Sequence, residues 1–360
     1  MPRLVFENQS STASKKGGHM NKTSIIGIDL AKSVFQAHGM TSSGKQTFAR
    51  QLKRAEVAKF ISKQPKCIIG IEACSGSHYW AKLFKQYGHD VKIIPPSYVK
   101  AYVRVNKNDK RDAAAIAEAA SREQAPVVAV KTTEQLDLQA LHRVREDSVN
   151  NRTRTGNRIR GLLAEQGIVV KRGHAATRYE VALILEDASN GLSCSLREII
   201  ADLREEWLRC DDRVDYYTSR IEKIARSDAR CKRLMTIPGV GPVISTLLVA
   251  YAGNGQSYRG SRDLAASLGL VPAQHSSGGK DVLLGISKRG NRQLRKQLVH
   301  GARAAYRSLE KCPESSRLGL WAQSLRASGK HVNKIVVAIA NKLARIAWSC
   351  LVNERDYKAL

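Results

Sequence analysis

The hydrophobic pattern changes character twice along this chain. Residues 24–30 ("SIIGIDL") form a nearly unbroken apolar run that ends around Asp29, which predicts a buried strand. "VFQAHGM" and "KQTFARQL" flank the turn "TSSG" and predict two further strands in a meander. "RAEVAKFISKQ" has helical spacing, and "KCIIGIEA" is a second buried strand, ending on Glu72. "SHYWAKLFKQYG" predicts an amphipathic helix closed by Gly88, and "HDVKIIPP" a strand stopped by two prolines. "KNDKRDAAAIAEAA", residues 107–120, opens an alanine-rich helix. A meander leading into alternating strands and helices predicts a mixed α/β domain over residues 21–130.

From about residue 133 the pattern turns helical. Leu196, Ile200, Leu203, Trp207, Cys210, Val214, Tyr217, Ile221 and Ile224 follow alternating steps of four and three, which predicts a coiled coil within a helical region over 131–229. A helix over about 134–166 is a candidate partner, and an intrachain hairpin and a dimer contact both remain open. Its middle, "NNRTRTGNRIR", carries Arg152, Arg154, Arg158 and Arg160, a density better suited to phosphate than to a seam. Residues 167–192 carry no clear assignment. The last region, 230–360, begins with "RLMTIPGVGPVISTLLVAYAG", where Gly239 and Gly241 sit between two apolar helical patterns. That is a helix-hairpin-helix pattern, whose glycines would admit a phosphate to backbone N–H groups. A plain tight turn has the same signature.

Composition sharpens this picture. The chain has 360 residues, of which 42% are hydrophobic and 26% charged, as in globular rather than disordered proteins. Sixty Lys plus Arg face 32 Asp plus Glu, a net charge of +28, and the first expectation is a nucleic-acid partner. From Lys280 to Leu360 there are 17 basic and 5 acidic residues, a net +12. Lys280 and the patch "SKRGNRQLRK", with Lys288, Arg289, Arg292 and Lys296, are candidate nucleic-acid contacts. None of the seven cysteines forms a CxxC pair, so neither a zinc site nor a disulfide framework is indicated, and reduced thiols of the cytoplasm are expected. No transmembrane run and no signal peptide are expected. Residues 1–20 are polar and aperiodic and read as a flexible leader outside the fold.

In so basic a chain, four acids stand out. Asp29 and Glu72 each end an apolar strand, while Asp109 and Asp112 open a helix, three residues apart and on one face. Such a set suits a hard divalent cation, magnesium above all, in phosphoryl transfer. Taken singly, the aspartates equally suit a helix start and the other two a strand end.

"IIGIDLAK", "CIIGIEACSGSHYW", "IIPPSYVKAYVRVNKNDKRDAAAIAEAA" and "IPGVGPVISTLLVAYAG…LGLVPAQHSSGGK" together resemble the bridge-RNA-guided insertion-sequence transposases of the IS110 family, most closely its IS1111 group, over residues 23–350. The resemblance implies a RuvC-like, RNase H-type N-terminal domain whose DEDD tetrad, here Asp29, Glu72, Asp109 and Asp112, binds Mg2+. It implies a coiled coil, then a transposase domain with a nucleophilic serine in "PAQHSSGGKD", which matches Ser277. By composition that loop is an ordinary flexible one. The resemblance further implies donor and target DNA, a structured guide RNA, a homodimer in which the serine of one protomer completes the carboxylate site of another, a tetramer in the synapse, and a bacterial cytoplasmic, nucleoid-associated location. Two other functions compete: a metal-dependent nuclease or Holliday-junction resolvase with water as nucleophile, and a non-enzymatic nucleic-acid binder.

Overall fold

The computed structural model describes residues 22–103, 109–276, 280–311 and 313–358, and for Asp109, Lys110 and Ser315 the backbone alone. The expected leader falls outside them. The chain divides into two compact units, one ending at Val130 and one running Lys131–Leu360.

The first unit is the mixed α/β domain expected. Its elements are β1 (Ile25–Asp29), β2 (Val34–Met40), β3 (Gln46–Lys53), α1 (Arg54–Ser62), β4 (Ile68–Glu72), α2 (Ser77–Gln86), β5 (Asp90–Ile94), α3 (Pro96–Val99) and α4 (Asp109–Ser121). The sheet has the order β3-β2-β1-β4-β5. β3, β2 and β1 are antiparallel neighbours, whereas β1, β4 and β5 run parallel. Alternation along the strands sorts the side chains into two layers. Ile26, Ile28, Ile69, Ile71 and Ile93 pack with Val57 and Ile61 of α1 and Trp80 and Phe84 of α2. On the other face, Ile25 meets the alanines of α4 with Ile116.

The second unit is almost wholly helical: α5 (Thr133–Ala164), α6 (His174–Glu186), α7 (Cys194–Ser227), α8 (Ala229–Met235), α9 (Pro242–Ala252), α10 (Ser261–Ser267), the strands β6 (Pro272–Gln274) and β7 (Leu283–Ile286), α11 (Arg292–Lys311), α12 (Arg317–Ala327) and α13 (Val332–Val352). α5 starts with a capping box: Thr132 accepts from the Gln135 N–H and the Gln135 side chain accepts from the Thr132 N–H. One core joins Leu138 of α5 and Ala225 of α7 to residues of α8 through α13. The stretch without a sequence assignment, 167–192, contains α6, which packs on α7 through Val181.

The seam of α7 packs along α5 of the same chain. Ile200, Trp207, Val214 and Ile221, seven residues apart, are buried, while Leu196, Leu203, Cys210, Tyr217 and Ile224 are half-buried. One expectation is corrected. α13 is long and apolar enough, by composition alone, to cross a membrane, with a mean hydropathy of 1.7 over its most apolar window. Half of that window is buried, because Ile335, Ile339, Leu343 and Ala347 belong to the core of the second unit.

Candidate active site and nucleic-acid interface

The carboxylate site grows out of strand register. β1 and β4 pair in parallel with Ile25 opposite Ile68 and Ile28 opposite Ile71, so the next position brings Asp29 beside Glu72 at the ends of neighbouring strands. Since side chains alternate, both acids share the face of Gly27 and Gly70. That face is covered by α4. A Cβ on Gly27 would lie 2.2 Å from the Ala113 carbonyl oxygen, and one on Gly70 would lie 2.7 Å from the Ala120 Cβ. α4 therefore approaches the sheet as closely as backbones allow, and Asp112 enters the layer directly before Ala113.

Asp112 is 8% exposed, and its Oδ1 is buried without a hydrogen-bond partner. An unsatisfied buried carboxylate oxygen is costly, and a cation is the partner that would relieve it. The Cys74 thiol, two residues beyond Glu72, has its pKa raised by burial and then by the charges of Glu72 and Asp29, so these three groups lie within electrostatic reach of each other. Asp109 is the first residue of α4; its side chain is outside the described atoms. Among the described residues, no three His, Cys, Asp or Glu side chains form a closed metal-holding group. The donor set is nevertheless the right kind for a hard cation: carboxylate oxygens, no imidazole, and one buried oxygen lacking a donor.

Ser277, Gly278 and Gly279 lie outside the described residues. Their flanks form a hairpin. β6 and β7 pair antiparallel, and the His275 N–H donates to the Val282 carbonyl at 3.0 Å. Ser276 Oγ donates to Asp281 Oδ1 at 2.8 Å, and Gln274 Nε2 donates to Ser276 Oγ at 2.8 Å and to Asp281 Oδ1 at 3.0 Å.

The basic candidates divide into two groups. Arg154, Arg158, Lys280, Lys288, Arg289 and Arg292 are exposed. Arg152, Arg160 and Lys296 instead have protein partners: Arg152 donates to Asp211 at 2.5 Å, Arg160 to Thr177 at 3.0 Å, and Lys296 to Glu146 at 2.7 Å. Gly239 and Gly241 sit in the α8–α9 turn with different duties. Gly239 has φ +78°, and a Cβ there would lie 2.2 Å from the Gly301 carbonyl oxygen of α11, so packing requires its glycine. Gly241 caps α9, is exposed, and has open space around its missing side chain.

The sequence reading passed over Asp211. It is fully buried on α7 and accepts from Arg152, from His174 Nε2 at 2.5 Å and from Arg178 at 2.6 Å. Burial alone would raise its pKa, but the His174, Arg178 and Arg152 hydrogen bonds hold it down at about 2. The available signal was an acid one residue past the Cys210 seam position, facing an arginine-rich helix.

Residues 26–167 match the DEDD-type IS110 transposase domain, and residues 231–316 match the transposase domain of the IS116/IS110/IS902 family. A probable family 20 transposase of Pseudomonas aeruginosa is 42% identical over 93% of this chain and 98% of its own length. The transposase for insertion sequence element IS1111A of Coxiella burnetii is 39% identical over 99% of this chain and 97% of its own. A pilin gene-inverting protein of Moraxella lacunata is 27% identical over 94% and 98%. With both domains matched in order and full-length relatives near 40% identity, the chain belongs to the IS110 family of insertion-sequence transposases and is a DNA-recombining enzyme.

Proposed function

We propose that this transposase cuts and rejoins DNA at specific sites through a covalent phosphoserine on Ser277, beside magnesium held by Asp29, Glu72, Asp109 and Asp112. The observation that carries the reading is the placement of Asp29 and Glu72 at adjacent register on the face that α4 covers. The five-stranded order, with a meander leading into parallel strands, supports an RNase H-type frame for these acids.

A serine hydroxyl is a poor nucleophile unaided. When bound, magnesium would supply positive charge that favours the alkoxide and the charge building on the phosphate. Ser277 Oγ attacks the scissile phosphorus and forms the new P–O bond. The bond to the leaving strand breaks, and the leaving oxygen takes up a proton. Attack of a strand hydroxyl on the phosphoserine reverses these changes and rejoins DNA, so no ATP is consumed. Lys280, Lys288, Arg289 and Arg292 are exposed near the hairpin in sequence and would neutralise strand phosphates. Arg154 and Arg158 offer a second exposed basic pair. A structured bridge RNA would choose the sites, with the protein a dimer on RNA and a tetramer at the synapse of donor and target DNA, in the bacterial cytoplasm at the nucleoid.

The test is an assay of protein–DNA adducts with the intact protein and its co-purified RNA. Ser277→Ala is expected to remove the adduct while DNA binding persists, and Asp112→Asn to remove both cleavage and adduct. Normal cutting by Ser277→Ala would move the assignment to a nuclease that uses water. Sequencing the co-purified RNA checks the guide: strand exchange by protein freed of RNA overturns it.

A further inference from the structure

Asp281 is the single acidic residue between Asp263 and Glu310, in a stretch that otherwise gathers cations. A carboxylate beside a place that must receive a phosphate repels it, so its presence calls for a compensating role. We infer that Asp281, with Gln274, is a positioning residue: it locks the neck of the β6–β7 hairpin so that the loop carrying the proposed nucleophile leaves and re-enters the hairpin at a set place. This rests on the Ser277 reading above and deepens it.

The hairpin needs such a lock. Its strands are three and four residues long and form a sheet of two strands. A two-stranded ribbon of that length is marginal in water. The register also shifts between Pro272 and Gln274, so the ladder itself constrains the neck weakly. What spans the neck is a triangle of side-chain bonds. Gln274 stands on the first strand, Ser276 leads into the loop, and Asp281 follows it out. Both the Ser276 hydroxyl and the Gln274 amide donate to one atom, Asp281 Oδ1. A shared acceptor fixes the two flanks of the loop relative to each other.

The triangle also separates two consecutive serines by role. The hydroxyl of Ser276 has one proton, and that proton is given to Asp281. Ser276 thus serves the neck, which leaves the chemistry to its neighbour. Because the bonds converge on Oδ1, an asparagine at 281 keeps the acceptor and loses the charge, whereas an alanine loses both. That separates positioning from proton abstraction, since a carboxylate acting as a base would not survive the change to an amide.

The experiment compares Asp281→Ala, Asp281→Asn, Gln274→Ala and Ser277→Ala in the full-length protein with its DNA and co-purified RNA, following adduct rate, DNA affinity and thermal midpoint. Asp281→Ala is expected to slow adduct formation by about tenfold, the kinetic equivalent of two ordinary hydrogen bonds. Asp281→Asn should stay within about twofold of the parent, as its acceptor is kept. Gln274→Ala should slow the step less than Asp281→Ala, and adding Ser276→Ala to Asp281→Ala should cost nothing more. An unchanged rate in Asp281→Ala, with Ser277→Ala still abolishing the adduct, overturns this inference alone. Loss in Asp281→Asn equal to that in Asp281→Ala also overturns it, by making Asp281 a base. Adduct formation by Ser277→Ala sinks the Ser277 reading itself.

Discussion

Gly27 and Gly70 carry no functional group, yet they decide how near α4 comes to the sheet. Each stands at the third position of an apolar word, "IIGID" or "IIGIE", one pleat before an acid. Opposite them, α4 presents alanines, and the clash a Cβ on Gly27 would meet is with backbone, which cannot swing away. Gly27→Ala is therefore expected to destabilise the first unit by about 1–3 kcal/mol, the usual cost of overpacking. Gly161, in α5 with open space around it, is the control: Gly161→Ala should be neutral or stabilise by up to about 1 kcal/mol. Thermal unfolding of the two variants checks the pair, and equal effects would contradict the close approach. The acids were legible in the sequence because they end apolar runs in a basic chain. The glycines were not, because their meaning comes from what lies across the layer.

At the scale of elements, the heptad pattern of α7 was visible, but not what it faces. α5 meets it with a partly polar stripe. Gly156 admits the Trp207 ring, whose Nε1 would lie 3.1 Å from a Cβ there, and Arg152 reaches the buried Asp211. The pairing thus mixes apolar seam positions with a charged node, which periodicity alone does not reveal. α5 also buries His142 against α9. Thr246 donates its hydroxyl proton to the Pro242 carbonyl at 2.7 Å, so His142 Nε2 at 2.9 Å is the donor to Thr246 Oγ1. Burial, then the Arg145 charge, pushes the His142 pKa down to about 4. The folded chain thus binds fewer protons than the unfolded chain between the ordinary histidine value of 6.5 and about 4. Stability must fall as pH drops through that window, by about 3 kcal/mol for the full shift. Thermal midpoints measured from pH 7 to pH 4.5 should decline less steeply in His142→Gln than in the parent. Identical slopes would remove His142 as the cause.

For the whole molecule, charge is the governing quantity. The net charge of +28 leaves exposed cations in the hairpin region and on α5 after the ion pairs of Arg152 and Lys296 are set aside. If about five phosphates are neutralised, the logarithm of DNA affinity should fall against the logarithm of salt concentration with a slope of about −4.5. Titration of binding across salt concentrations checks this, and a slope shallower than about −2 would mean that most of the charge faces something other than DNA. Arg158→Ala should reduce the slope by about one unit, whereas Arg152→Ala should act mainly on stability by stranding Asp211.

The sequence by itself determined the class of each region and the identity of its conspicuous residues. Strand length, heptad spacing, turn residues and net charge are local or additive, so they can be summed along the chain. Family membership also followed from words in order. Only the tertiary structure decided the rest: that Asp29 and Glu72 share one register, that α4 rides on two glycines, that Asp211 holds three helices, and that Ser276 is bonded to Asp281. Each of these joins residues through register or packing, and such a pairing has no trace in the composition or period of either segment alone. α13 shows the same limit from the other side, since its composition fits a lipid span and only the surrounding helices make it a core.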